Sequence, residues 1–319
     1  MGAEAETAVL TAEVEGEIPP GATLPRAGRM SLGPVPPGFD LSRVVLSHGW
    51  CQLAPTAYDT PRRTLHRTLL LPDSGPVTVS VRERSGRLEA SWGRVKGTCD
   101  DRIAVKAQLR RMLALDVDLG DLYDACAAHP ALTWVPASGL GRLLRSPTAF
   151  EDLAKQLATT NCSWALTRLM CRRVVDSLGE EGPEGERAFP TPDAVVKAGE
   201  AHFVEVVRAG YRARAFVELA AAYPALDVAR WESQELTDAE VIAEVKALRG
   251  FGPYAAEGVL GLLGRPRGLA IDSWVRAKLP RLLGVESLTD KEIAARYEPL
   301  GRWAGTGLWL ELTRDWFGL

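Results

Sequence analysis

Leu248-Arg-Gly-Phe-Gly-Pro-Tyr-Ala-Ala-Glu-Gly-Val-Leu260 sits between helix-compatible stretches, and Ile271-Asp272-Ser273-Trp274 follows, with Asp272 twenty positions after Gly252. Two glycines flanking one apolar residue permit a tight turn whose backbone N–H groups converge on an anion, and a phosphate is the natural guest. Pro253 is suited to open the second helix, and Ala255 and Ala256 let two helices approach closely. Such a hairpin would grip one nucleic-acid strand through main-chain donors, giving position without sequence readout. Glycines between helices are also ordinary C-cap punctuation. Asp272 has two readings as well: N-cap of the helix Ser273-Trp-Val-Arg-Ala-Lys-Leu279, or a carboxylate held near whatever the phosphate belongs to.

Working outward, 319 residues with 46% hydrophobic content suffice for two domains or one core with subdomains. No apolar run approaches the roughly 20 residues of a membrane span, and the acidic N-terminus is unlike a signal peptide, so a cytoplasmic, DNA-accessible location is expected. Cys51, Cys99, Cys126, Cys162 and Cys171 are scattered without a C-x-x-C pair, which suggests neither a disulfide framework nor a zinc site. The net charge of −3 is uneven. Residues 1–40 hold six acids against Arg26 and Arg29, whereas residues 245–283 hold seven bases against Glu257 and Asp272. That local excess suits phosphate contacts, or is simply a solvated basic face.

Residues 1–38, acidic and then rich in Pro and Gly, read as a flexible arm. From Phe39 to about Gly97 come β-rich runs (Arg43–Ser47, Arg63–Leu71, Val77–Arg82, Arg87–Trp92) with turn signals at Pro72–Gly75 and Arg84–Arg87. They predict a small antiparallel sheet in an N-terminal α+β domain over 39–135. From Asp100 onward the periodicity is helical. Ser146-Pro147 and Thr191-Pro192 mark helix starts, Thr237-Asp-Ala-Glu240 fits a capping box, and the acidic loop 179–190 separates two helical lobes within 136–319. The fold class is therefore mainly α, two-lobed, with a small N-terminal sheet domain.

The hairpin followed by Gly268-Leu-Ala-Ile-Asp272 resembles the helix-hairpin-helix (HhH-GPD) DNA glycosylase superfamily, in particular its 3-methyladenine and 8-oxoguanine branches. The resemblance implies that Asp272 is the catalytic carboxylate and that Gly250, Phe251, Gly252, Tyr254 and Ala255 form the DNA-gripping hairpin. Hydrolysis of an N-glycosidic bond passes through a sugar of oxocarbenium character, which a nearby carboxylate stabilises, and the same group can orient or deprotonate the attacking water. Strand-cleaving relatives carry a Lys two residues after the second glycine. Here Tyr254 stands there, so a monofunctional enzyme is implied, with Tyr254 lining the DNA or base site.

Three further stretches extend the likeness over most of the chain beyond residue 140. Gly210-Tyr-Arg-Ala-Arg214 resembles a segment whose Tyr and first Arg reach the opposite strand, a role that falls on Tyr211 and Arg212. Ala158-Thr-Thr-Asn161 resembles the segment whose Asn fills the gap left by a flipped nucleotide, although Asn161 as N-cap or turn residue remains open. Where the 8-oxoguanine branch reads the opposite cytosine with an Arg, this chain has Leu166. Tyr297-Glu-Pro-Leu-Gly-Arg-Trp303-Ala-Gly-Thr-Gly-Leu-Trp309 resembles the helix that delivers an aromatic platform, making Trp309 the base-stacking residue, while Trp274, Trp303 and Trp316 are read as core. Gly258 stands where relatives have a larger pocket residue, which implies a wider base pocket unless a neighbour fills it.

The expected activity is excision of a damaged base, an alkylated purine first, from double-stranded DNA, by a monomer with no cofactor, no metal and no membrane partner. An oxidised purine or a bulky hypermodified base, as in foreign DNA, is the rival substrate. The rival of another class is a non-catalytic protein that uses the hairpin to hold DNA.

Overall fold

The computed structural model describes residues 28–93, 97–233 and 235–318. Five antiparallel strands form one sheet in the order β1-β5-β4-β3-β2, from β1 (Gly28–Pro34), β2 (Thr56–Asp59), β3 (Thr64–Leu71), β4 (Gly75–Arg84) and β5 (Arg87–Trp92). The register pairs Leu65 with Val81 and Leu69 with Val77, which puts apolar side chains of neighbouring strands on one buried face.

Two local expectations need correcting. Gly28–Pro34, expected within the flexible arm, is an edge strand on β5, and its buried Leu32 outweighs the Pro/Gly-rich composition around it; residues 1–27 of that arm lie outside the described residues. Arg43–Ser47, expected as a β-rich run, belongs mostly to a short helix, Leu41–Val45, because the Asp40 carboxylate accepts from Arg43 N at 3.0 Å and caps it. β2, four residues with polar ends, is too short to announce itself as a strand.

Helices dominate from Cys99 on, and their starts follow the chemistry of their caps. Thr98, Thr148, Ser163, Thr191, Thr237 and Thr289 each accept a backbone N–H three residues on, and Thr98, Thr237 and Thr289 complete capping boxes. None of the helices among the described residues is long and apolar enough to cross a membrane.

Packing does not divide the chain at residue 135. One core joins the sheet to helices Cys99–Met112, Ala149–Thr159, Trp164–Leu178, Ala213–Ala222 and the hairpin helices Asp238–Ala247 and Pro253–Leu262. The other joins Leu119–Leu140 to helices Ser273–Leu283, Asp290–Tyr297 and Ala304–Thr313. The chain thus crosses between lobes three times, after Leu115, after Leu140 and after Leu263, and the seam between the two cores is where a cavity opens. Helix Ala149–Thr159, which reaches that seam, is tied to the sheet by a buried triad. Glu151 pairs with Arg67 of β3 and, at 2.6 Å, with Lys155, all three at most 2% exposed. Breaking such a triad from one side strands a buried charge, which holds this helix in place.

Candidate active site

The hairpin turn is dictated by its first glycine. Gly250 has φ +90°, and a Cβ there would stand 2.5 Å from Leu157 Cδ1 and 3.3 Å from Ala215 Cβ. Gly252 differs: its φ is −82°, and nothing lies within 4 Å of a would-be Cβ, so the space above it is open. Pro253 begins the second helix without an N–H. The amides of Gly250, Gly252, Tyr254 and Ala255 have no hydrogen-bond partner among the described residues, which leaves a set of donors at a helix N-terminus suited to an anion. Phe251 and Ala255 are 4% and 2% exposed, so any contact they make with DNA is through the main chain, not the side chain.

Between the two cores lies a cavity of about 190 Å³, smaller than the roughly 300–1,000 Å³ of sites for drug-sized ligands and suited to one heterocycle. Asp272, Tyr254, Gly258 and Trp309 all line it. Asp272 caps helix Ser273–Leu283 by accepting from Val275 N at 2.8 Å through Oδ1 alone, and Oδ2 makes no hydrogen bond among the described residues. Capping and an available carboxylate oxygen coexist in one side chain. The loop before it is pinned by backbone. A Cβ on Gly305 would collide with Gly268 O, Thr306 N donates to Pro266 O at 3.1 Å, and Ala270, at φ +45°, donates its N–H to Glu257 Oε2 at 2.8 Å.

Trp309 donates Nε1–H to Ser47 O at 2.8 Å, which fixes its indole against the loop leading into the sheet domain. Trp274, expected as core, also lines the cavity, with its ring 5.8 Å from Trp309; a helix start beside Asp272 carries it to the seam. Trp316 packs edge-on to Trp309 at 5.4 Å and is half-buried, while Trp303 is a core residue. Tyr254 hydrogen-bonds Thr159; burial, with the Asp272 charge nearby, pushes its phenol up, so it stays protonated. Gly258 does not widen the cavity. Gln156 fills the space, its Nε2 2.7 Å from where a Cβ would be.

Away from the cavity, Asn161 is exposed with φ +44°, and its Nδ2 donates to Tyr211 Oη at 3.3 Å; Ser163, not Asn161, caps the following helix. Tyr211 is 64% exposed beside it, and Leu166 is exposed too. Arg212 departs from expectation. It is 6% exposed and gives its guanidinium donors to Thr160 O, Asn161 O and Ala209 O, so it holds the Thr160–Asn161 turn and does not extend toward a strand. The basic stretch 245–283 is largely neutralised as well. Arg249 pairs with Glu218, Arg265 with Asp238, Arg276 with Asp290 and Lys278 with Asp315, all acids from outside the stretch.

Sequence reasoning missed the cavity residues His48, Trp50, Gln156 and Glu257. His48 Nε2 lies 2.7 Å from Leu144 O, and Trp50 Nε1 donates to Asp152 Oδ1 at 3.1 Å. Burial lowers the His48 pKa to about 4, so the imidazole is neutral. The signal present in the sequence was Ser47-His48-Gly49-Trp50 between two apolar runs, but nothing local ties it to residues 250 positions away.

No protein-family model and no curated protein matches the sequence. Solved structures do. Over 91% of this chain and 99% of that chain, the backbone is similar to a 3-methyladenine DNA glycosylase from Archaeoglobus fulgidus, with a TM-score of 0.71 and 22% identity. The chain has the fold of the DNA glycosylases. The apo form of an 8-oxoguanine glycosylase/lyase from Clostridium acetobutylicum is similar over 86% of this chain and 93% of that chain, at a TM-score of 0.67 and 18% identity. The same enzyme in complex with double-stranded DNA containing cytosine opposite 8-oxoguanine gives 0.66 over 87% and 92%, again at 18% identity. A mainly helical glycosylase fold with an N-terminal antiparallel sheet is thus common to all three chains.

Proposed function

We propose that this chain is a monofunctional DNA glycosylase that flips a modified base, an alkylated purine first, into the cavity and hydrolyses its N-glycosidic bond. The observation that carries the reading is Asp272, capping through one oxygen and leaving the other available in a tryptophan-lined cavity that follows an anion-binding hairpin. The hairpin amides would hold a backbone phosphate, and Asn161 with Tyr211 would enter the gap left in the stack, on a turn braced by Arg212. Asp272 Oδ2 would face the sugar as positive charge develops on it and orient the attacking water. Trp309 and Trp274 offer faces to an electron-poor ring, and the carboxylates of Asp272 and Glu257 favour a cationic one.

Hydrolysis without strand cleavage is favoured because a Schiff base needs an amine at the sugar, and among the described residues no Lys lines the cavity. Lys155 is buried in its pair with Glu151, and Lys278 pairs with Asp315. Gln156 in the space over Gly258 argues against a bulky hypermodified base. The test is a panel of duplexes with single modified bases, scored for strand breaks with and without alkali. Alkali-dependent breaks at 3-methyladenine or 7-methylguanine are expected. Breaks that need no alkali would overturn monofunctionality, and release confined to oxidised bases would overturn the substrate. Binding that survives Asp272→Asn with no base release by either protein would leave a DNA-holding role.

A further inference from the structure

The cavity holds two side chains that its chemistry at the sugar leaves unused. His48 and Gln156 are 8% and 4% exposed and both line the cavity, His48 from the N-cap of the turn Gly49–Gln52 and Gln156 from helix Ala149–Thr159. His48 Nε2 must donate to Leu144 O, an acceptor 2.7 Å away, so the neutral ring carries its proton there and presents Nδ1 as a bare lone pair. Neither His48 Nδ1 nor the Gln156 carboxamide has a hydrogen-bond partner among the described residues, and neither is among the polar atoms sealed from all access. Both groups are therefore unpartnered within the protein yet open to the same small cavity, where a ligand can supply the partners.

Together they offer two acceptors, His48 Nδ1 and Gln156 Oε1, and one donor group, Gln156 Nε2. A purine edge that complements this set needs two donors and one acceptor. Guanine has that edge in its 2-amino group, N1–H and O6; hypoxanthine lacks the amino group and leaves one acceptor bare. We propose that His48 and Gln156 are specificity-determining residues that read the Watson–Crick edge of a flipped guanine-type base, which makes 7-alkylguanines the preferred substrates. This rests on the glycosylase reading. The neutral state of His48 is essential to it, because an imidazolium would present a donor where the amino group needs an acceptor.

The experiment compares 7-methylguanine with 7-methylhypoxanthine, two bases that differ in the 2-amino group. Single-turnover release from duplexes should favour 7-methylguanine by at least about tenfold in the wild-type protein, since a site built to bond a donor rejects the analogue lacking it. His48→Phe should shrink that ratio to less than about twofold, and Gln156→Leu should slow release of 7-methylguanine on the order of tenfold or more. Equal wild-type rates on the two bases, or an unchanged ratio in His48→Phe, would overturn the proposal. A second readout needs no catalysis and no variant: quenching of tryptophan fluorescence by the free bases, which should report tighter binding of 7-methylguanine by a similar factor. Release of 3-methyladenine with no guanine preference sinks this inference alone. Preferential binding of free 7-methylguanine without release from any duplex sinks the glycosylase reading and leaves base recognition standing.

Discussion

The two walls of the cavity are held in different ways. The wall that carries Asp272 is fixed mostly by main chain: Gly305 lies against Gly268 O and Thr306 N bonds Pro266 O, while the Glu257 side chain accepts from Ala270 N. The wall that carries His48, Trp50 and Gln156 is fixed by side chains, through Leu144 O, Asp152 and the Arg67–Glu151–Lys155 triad. Backbone contacts leave little freedom for change without loss of the site. Side-chain contacts can be exchanged one at a time, so under the proposed function the second wall is where the identity of the base would vary while the attack on the sugar stayed the same.

The sharpest way to separate the walls is Asp272→Asn. Asparagine still accepts from Val275 N, so the helix cap survives, but the negative charge is lost. Base release should fall about 100- to 1,000-fold while affinity for the duplex holds. A fall in affinity of the same size in a gel-shift or anisotropy titration would mean that the wall itself had collapsed, and the division into chemistry and recognition would fail.

Trp309→Leu comes next, because Trp309 belongs to both walls, bonded to Ser47 O and packed on Trp274 and Trp316. Losing a stacking platform costs about 1–3 kcal/mol per base. Single-turnover titrations should show weaker apparent binding of the damaged duplex and little change for undamaged DNA. Equal weakening of both would place Trp309 in general DNA contact.

How much of this was legible in the sequence follows the same division. The hairpin, Asp272 and the helix starts are encoded within a few residues: Gly250 by a positive φ, Pro253 by its missing N–H, and the Thr caps by a following Asp or Glu. Trp309 was reachable through the resemblance. His48, Trp50 and Gln156 were not, because each gains its role from a partner or a seam distant in sequence. Arg212 shows the limit from the other side. Its neighbours in sequence suggested an outward arm, and only the fold reveals the carbonyls that bury it. The sheet was foreseen except at its edges, where β1, set in a Pro/Gly-rich stretch, and the four-residue β2 carry too few apolar positions to stand out from loops.

A smaller effect probes the backbone wall. Glu257→Leu leaves Ala270 N without its acceptor, so the loop before Asp272 loosens and the catalytic rate should drop on the order of tenfold. Glu257→Gln keeps an acceptor oxygen at nearly the same place and should restore most of that rate. If Gln is as slow as Leu in single-turnover assays, the charge of Glu257 matters and not its hold on the loop.

The smallest expected effect belongs to the other wall and is read in stability, not activity. His48 is neutral in the folded chain with a pKa lowered to about 4 by burial, whereas unfolded it titrates near the ordinary value of 6.5. The unfolded chain therefore binds the extra proton first. The stabilisation is fully present above pH 6.5 and is lost as pH falls toward 4. Between pH 6 and pH 5 this amounts to about 1 kcal/mol. Burial also lowers the pKa of His66, which bonds Ser80, and it contributes with the same sign. Charges facing His48 act in opposite directions: Asp152 favours the protonated ring and Lys155 opposes it. Buried carboxylates such as Glu151, held below their usual range by Arg67 and Lys155 against the pull of burial, lose their contribution only at lower pH. Urea midpoints at pH 6 and pH 5 should thus differ more in the wild-type chain than in His48→Phe, whatever that variant does to stability at either pH. Equal differences in the two proteins would mean that His48 is protonated in the folded state, and the acceptor offered by this wall would be lost with it.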